Sequence, residues 1–261
     1  MTSPVSGPTA GFSCKRFHIR QSAATWKVGT DSLLLGSWCS VRDSARVLDV
    51  GTGTGILALM VAQRCQTVLV DAVEIDPSTV IEAKQNVSSS PWPDRIALFC
   101  GDIMAGGAWT GAYDHVIANP PYFNHDIQAA TTPRIRARHG SGFNLMQLPV
   151  VARLLLNENG ILSTILPAMY AFDFIARANT AGLYVHKRMN VTHRQGGPAT
   201  LTLLELGLTI SEVTNQMLAL YTGDAPSQEY SQLVRDFVQI GPGGKLHERK
   251  SGKYNALPAQ D

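Results

Sequence analysis

Apolar and polar positions alternate so as to divide this chain into short buried strands, each followed by a helix-like stretch. Val47 to Val50 reads as a strand that runs into Gly51-Thr52-Gly53-Thr54-Gly55, after which Ile56 to Ala62 opens a helix. Val68 to Asp76 is the next strand, and Asp76 before Pro77 reads as a helix N-cap with proline at the first helical position. Ile96 to Cys100 and Tyr113 to Ile117 follow as two further strands. Apolar residues at Leu145, Leu148, Val151, Ala152, Leu155 and Leu156 predict a helix from Phe143 to Asn157, stopped by Asn159-Gly160. Gly160 to Pro167 is a strand, and Tyr170 to Ala181 a helix closed by Gly182. Tyr184 to His193 and Ala199 to Leu208 form a hairpin around Gln195-Gly196-Gly197-Pro198. Ser227 to Ile240 predicts a last helix, and Ser32 to Cys39 an early one capped by Thr30 or Asp31. Strands alternating with helices place the chain in the α/β class.

Two motifs carry chemistry. In the first, the glycines allow a tight strand-to-helix turn and leave room for a ligand against the backbone. The spacing is Gly-x-Gly-x-Gly, not the Gly-x-Gly-x-x-Gly of a dinucleotide fold. With Asp49 in front, this loop suits a ligand bearing an ammonium and a carboxylate better than one bearing two phosphates. Asp49 is expected to meet the amine directly or through water. The second motif is Asn119-Pro120-Pro121-Tyr122-Phe123. Each proline lacks an N–H and pushes the residue before it towards extended backbone. The run therefore forms a rigid corner at a strand end, with an amide, an uncommitted carbonyl and an aromatic face. Those groups suit a planar –NH2.

Between the motifs lie two acidic strand ends. Glu74 falls 19 residues after Gly55, where a carboxylate can accept from both hydroxyls of a ribose. Asp102 closes the next strand, positioned for an adenine amino group. Asp49 with its glycines, Glu74, Asp102 and Asn119 thus form a ladder along the carboxyl ends of successive strands. That is the edge along which open α/β sheets bind ligands.

On these residues the chain resembles the class I S-adenosylmethionine-dependent methyltransferases. Within them it is most similar to the bacterial tRNA(Val) adenine-N6 methyltransferases, which modify the adenine next to the anticodon. The segment Lys27-Val28-Gly29-Thr30-Asp31-Ser32-Leu33-Leu34-Leu35-Gly36 and the helix Ile56 to Arg64 look like signatures of that narrower family. The likeness runs from about Phe12 to Ile240. It implies a seven-stranded Rossmann-like sheet, mostly parallel with one antiparallel strand, with helices on both faces. It implies S-adenosylmethionine as cofactor and a tRNA as substrate. The implied cofactor set is Lys27, Gly29, Thr30, Asp31, Asp49, Gly51, Thr52, Gly53, Gly55, Glu74, Ile75, Asp102, Ile103 and Asn119. The implied catalytic corner is Asn119, Pro120, Pro121 and Tyr122. The arrangement expected is a single domain over 1–240, with 12–45 capping the cofactor and 241–261 forming a flexible tail.

Composition narrows the setting. The 261 residues are 44% hydrophobic, enough for one large core, and contain no apolar run long enough for a membrane span. The N-terminus lacks a signal-peptide core. Four cysteines without metal spacing predict no metal site and fit a reducing cytoplasm, with Cys65 and Cys100 in or beside the core. The formal charge is +2, and residues 241–261 hold four of the Lys and Arg and two of the acids. The remainder is neutral, so bulk electrostatics do not argue for RNA and contact must come from local patches. Arg134, Arg136, Arg138 and His139, with Tyr122 and Phe123, form the leading candidate, because they flank the catalytic corner. His186-Lys187-Arg188 and His193-Arg194 form a second, and Lys15, Arg16, His18 and Arg20 a third. A monomer or weak homodimer is expected.

Three other readings share parts of the pattern. A glutamine-amide protein methyltransferase uses the same tetrad but is expected to carry a longer helical domain before the glycine loop. Only 46 residues precede Val47 here. A guanine-N2 ribosomal RNA methyltransferase shares the tetrad with a different aromatic. A non-catalytic cofactor-binding module or a nucleotide-dependent oxidoreductase fits the tetrad and the glycine spacing less well.

Overall fold

The computed structural model describes residues 11–21, 28–43, 45–105, 113–120 and 143–238. A small antiparallel hairpin, β1 (Gly11–Ser13) and β2 (His18–Arg20), comes first. Helix α1 (Thr30–Trp38) leads to β3 (Arg46–Val50), α2 (Ile56–Arg64), β4 (Leu69–Glu74), α3 (Pro77–Ser88), β5 (Ile96–Cys100) and β6 (Tyr113–Ala118). Then come α4 (Leu148–Leu155), β7 (Leu156–Pro167), α5 (Ala171–Thr180), β8 (Tyr184–Arg194) and β9 (Ala199–Gly207). The described chain closes with β10 (Thr214–Thr222), the two-residue β11 (Ala225–Pro226) and α6 (Gln228–Val234).

The main sheet has nine strands in the order β11-β10-β8-β9-β7-β6-β3-β4-β5, two more than the seven expected. From β5 to β7 all neighbours are parallel. The expected hairpin supplies the reversed strand, since β9 inserts between β7 and β8 and runs antiparallel to both. The additional strand β10 pairs parallel to β8, and β11 folds back on it as a second reversed strand. Sequence pattern does not reveal β10, because its first four residues are exposed on an edge and show no inward alternation.

The helix expected over Phe143 to Asn157 is shorter than its apolar spacing suggests. A 3-10 turn at Leu145–Gln147 is held at its start by reciprocal capping, the Gln147 side chain accepting from the Asn144 N–H at 3.0 Å and the Asn144 side chain accepting from the Met146 N–H at 2.9 Å. Helix α4 ends at Leu155, and Leu156 already pairs with Tyr113 as the first residue of β7. Leu156 belongs to a strand because Tyr113 of β6 pairs with it, and the Asn157 side-chain amide donates to Asp114 of the same strand. At Gly182, φ is +80°, so α5 stops where glycine alone is comfortable.

Both sheet faces are covered. One face packs Leu48, Val50, Val116, Ala118, Leu162, Leu166 and Leu204 against α4 and α5. The other packs Val47, Ile117, Ile165 and Leu203 against α1, α2 and α6. This second face also carries a buried polar row. The His115 imidazole Nε2 lies 2.8 Å from the Ser163 hydroxyl, which donates to Glu205 at 3.4 Å. Glu205 in turn accepts from the Ser40 hydroxyl at 3.0 Å and from the Ser40 backbone N–H. Cys14, Cys39 and Cys65 are buried, whereas Cys100, the last residue of β5, is exposed. No helix among the described residues is long and apolar enough to cross a membrane.

Burial pushes the His115 imidazole down to about 3, helped by the charges of Arg64 and Arg42. Between pH 6.5 and about 3 the unfolded chain therefore takes up a proton that the folded chain excludes, and stability rises with pH across that window. His115→Gln should flatten the dependence of the melting temperature on pH below 6.5. An unchanged slope would assign the acid sensitivity to another group.

Candidate cofactor and catalytic site

Parallel register brings the predicted site residues to one edge. Val50 of β3 sits beside Val73 of β4 and Ala118 of β6, and Glu74 sits beside Cys100 of β5. Gly51, Glu74, Gly101 and Asn119 therefore leave the sheet on the same side.

The glycine loop is shaped by its own hydrogen bonds. Gly51 and Thr52 N–H both donate to the Val73 carbonyl, at 2.9 and 3.0 Å. Gly51, Gly53 and Gly55 have φ of +69°, +56° and +89°. A Cβ at any of them would meet left-handed strain of about 1–2 kcal/mol. Around Gly51 and Gly53 a Cβ would touch nothing within 4 Å, so space rather than protein lies there. Gly55 caps α2 without a side-chain bond, and that helix aims its first N–H groups at the loop.

Asp49 does not present itself to a ligand, because it is fully buried beneath the loop. One carboxylate oxygen accepts from the Thr52 hydroxyl at 2.6 Å and the Ala58 N–H at 3.1 Å. Its other oxygen, Oδ1, is buried without a hydrogen-bond partner. Burial raises its pKa to about 7, opposed by the bonds from Thr52 and Ala58 and assisted by the charge of Glu74. Full burial of the side chain is at odds with the direct meeting with an amine expected from the sequence, and Asp49 ties the loop to the first turn of α2.

Glu74 stands at the tip of β4. Its carboxylate accepts from Gly53 N–H at 3.1 Å and from Asp76 N–H at 3.0 Å, and its carbonyl accepts from Gly101 at 3.0 Å. It therefore joins the ends of three successive strands. A carboxylate has about four lone-pair positions, so two accepted bonds leave it able to take a diol. Asp76 is the expected N-cap, accepting from Thr79 N–H at 3.0 Å. Asp102 Oδ1 accepts from Met104 N–H at 2.8 Å and so caps the 3-10 turn that includes Ile103. Ile75 is 40% exposed on the same edge.

Asn119 and the buried Pro120 follow directly after β6. The Asn119 amide Nδ2 donates to the Ser32 hydroxyl at 3.1 Å. Gly29 occupies the N-cap of α1 with extended backbone and no side-chain cap, so Thr30 and Asp31 are first-turn residues and not the cap expected. Lys27, Pro121, Tyr122, Phe123, Arg134, Arg136, Arg138 and His139 lie outside the described residues.

Two contributors went unseen in the sequence. Ser32 is a polar interruption beside a Leu-Leu-Leu run, which was the available signal. Asn86 on α3 is buried, and its side chain donates to the Thr54 and Arg20 carbonyls while accepting from Arg20 N–H. It pins the glycine loop to the β2 strand, and nothing in its sequence neighbourhood marks it.

The parallel sheet, the glycine turn and the row of polar strand ends define a class I methyltransferase fold. It aligns with the crystal structure of a predicted O-methyltransferase from Agrobacterium tumefaciens, with a TM-score of 0.64 over 79% of this chain and 96% of that one, at 18% identity. A family model for the methyltransferase small domain matches residues 22–139. The chain is 40% identical to the tRNA1(Val) (adenine(37)-N6)-methyltransferase of Tolumonas auensis, covering 87% of this chain and 95% of that protein. It is 38% identical to the protein of the same name from Pectobacterium carotovorum, covering 87% and 93%. It belongs to the tRNA1(Val) (adenine(37)-N6)-methyltransferase family.

Membership implies use of S-adenosylmethionine, and the open space over Gly51 and Gly53 fits a ligand laid against bare backbone. Gly53→Ala should weaken S-adenosylmethionine binding about tenfold or more, since a methyl enters that space and strains the turn. Calorimetric titration checks this, and unaltered affinity would place the cofactor elsewhere.

Proposed function

We propose that this chain methylates the exocyclic N6 of adenine 37 in tRNA1(Val), using S-adenosylmethionine. The observation that carries the reading is the placement of Asn119 and Pro120 at the end of β6, one strand from the glycine turn after β3. Relatives that match along nearly the whole described fold are named for this reaction.

The cofactor supplies a methyl group already activated on a sulfonium. The chain's own task concerns the acceptor nitrogen, whose lone pair is delocalised into the ring. Asn119 Oδ1 and the Pro120 carbonyl accept the two N6 hydrogens, which holds the nitrogen nearer tetrahedral geometry and aims its lone pair. The Pro120 carbonyl suits this, because Pro121 after it has no N–H to propagate local backbone pairing. The same two oxygens favour positive charge as it develops on nitrogen. In this reading Tyr122 stacks on the base, supported by Phe123. A base in a tRNA loop leaves its stack to reach such a corner.

For the cofactor, Glu74 takes the ribose and Asp102 the adenine amino group. The loop Gly51, Thr52, Gly53 and Gly55 receives the amino-acid end, braced from beneath by Asp49. Ile75 and Ile103 supply apolar contact around the adenine, and Lys27, Gly29, Thr30 and Asp31 close the site from the N-terminal side. Arg134, Arg136, Arg138 and His139 hold tRNA phosphates beside the target. Balanced charge over residues 1–240, with basic residues confined to local stretches such as Arg134 to His139, suits recognition of a folded loop over indiscriminate binding to RNA.

Labelled S-adenosylmethionine offered in parallel to unmodified tRNA, ribosomal RNA and release-factor protein tests the reading. Label should enter tRNA alone and digest to N6-methyladenosine. Label in ribosomal RNA or protein would overturn it. Asn119→Ala should lower transfer by about 100-fold or more while leaving cofactor affinity close to that of the wild type. Equal loss of both would make Asn119 a structural residue.

A further inference from the structure

An asparagine that must present its oxygen to an amino group faces an ambiguity. Its two amide ends are nearly the same size, and rotation about the last side-chain torsion is soft. With Oδ1 forward, the side chain accepts from an –NH2. With Nδ2 forward, it offers donors to donors, and the acceptor is repelled. Something must fix the choice before the substrate arrives.

The structure places a hydroxyl at that decision point. Ser32 lies in the first turn of α1, almost fully buried, and its Oγ accepts from Asn119 Nδ2 at 3.1 Å. The two residues are 87 positions apart in the chain, so only the packing of α1 against the strand ends brings them together. We propose that Ser32 is a positioning residue that grips the Asn119 amide nitrogen and so commits Oδ1 to the acceptor amine. The inference rests on the catalytic role given to Asn119 above.

The helix that carries Ser32 is unusually well anchored. Leu33, Leu34 and Leu35 are fully buried. Gly36 lets α1 approach α2 so closely that a Cβ there would lie 2.6 Å from the Met60 sulfur. Arg64 on α2 donates to the carbonyls of Gly36 and Cys39, at 2.9 and 2.6 Å. At its far end, Trp38 donates to Gln216 on β10 at 2.7 Å and stacks under the Lys187 ammonium at 4.2 Å. Glu205 holds Ser40 just beyond. A hydroxyl on so fixed a support is a reference point, not a chance contact. Ser32 touches no reacting atom, so its effect should appear in the rate and not in binding.

The test uses the full chain with Ser32→Ala and Ser32→Thr. Steady-state kinetics on unmodified tRNA, calorimetric affinity for S-adenosylmethionine and melting temperature are measured for each. The side-chain amide signal of Asn119 is followed by nitrogen-15 NMR. Ser32→Ala should lower kcat about 10-fold to 100-fold with KM and cofactor affinity near wild type, and Ser32→Thr should return most of the rate. The Asn119 amide protons should exchange slowly in the wild type and in Ser32→Thr, and faster in Ser32→Ala. An undiminished kcat in Ser32→Ala, or a fall matched by an equal loss of cofactor affinity, would overturn the inference. Amide exchange equally fast in wild type and Ser32→Ala would do the same, because a serine hydroxyl can also donate and the grip would then be absent. A wild type that methylates no tRNA would instead remove the substrate assignment, and the NMR comparison would still decide the Ser32 contact.

Discussion

The site depends on one buried constraint, the seating of the glycine turn on the end of β4. The Val73 carbonyl takes two N–H groups from the turn, and Asp49 clamps Thr52 to the first turn of α2 from below. The positive φ values at Gly51, Gly53 and Gly55 follow from that seating. Because Glu74 reaches Gly53, the acidic end of the neighbouring strand is fixed by the same turn that leaves space for a ligand. A carboxyl group as buried as Asp49 favours its protonated form, so its placement costs stability as pH rises towards about 7. That cost is accepted because the clamp gives the loop a single shape.

Helix α1 is the second support. A helix buried on several sides has no single apolar stripe, and the run Leu33 to Leu35 behaves accordingly. Its position is set from three directions: by α2 through Gly36 and Arg64, by Glu205 through Ser40, and by β8 and β10 through Trp38. The strands added beyond β9 therefore reach the edge that carries Asn119 indirectly, through a helix that they help to hold. On the α6 side, Tyr230 has its pKa raised chiefly by burial, opposed by the nearby Thr30 of the first turn of α1.

The buried row His115, Ser163 and Glu205 lies beneath α1 and α2, on three neighbouring strands. Each member is joined to the next by a hydrogen bond, and the row ends at the backbone of Ser40. Polar groups so deep would be costly alone, but a connected set locks strand register and helix position together. The row stands away from the strand tips that form the site, so its contribution is to geometry.

Much of this protein was legible in the order of its residues. Glycine at three alternate positions after an apolar strand dictates a left-handed turn, and an Asp before a Pro dictates a helix cap, because both are local steric facts. The hairpin that places one reversed strand next to β7 was readable from the Gly-Gly-Pro turn between two apolar runs. Non-local partners decided the rest. Strand β10 exists because β8 has an edge to fill, although its own residues are largely exposed. Leu156 left its predicted helix because Tyr113 offered a ladder. Asp49 carries a charge-bearing side chain suited to an amine, yet the fold turned it inward to brace a backbone. Ser32 meets Asn119 only after α1 has packed against the sheet edge, a distance along the chain that no spacing rule spans. Sequence by itself settled which atoms were available, since that is chemistry within a few residues. Tertiary structure alone settled which of those atoms face one another, since that depends on the burial of surfaces far apart in the chain.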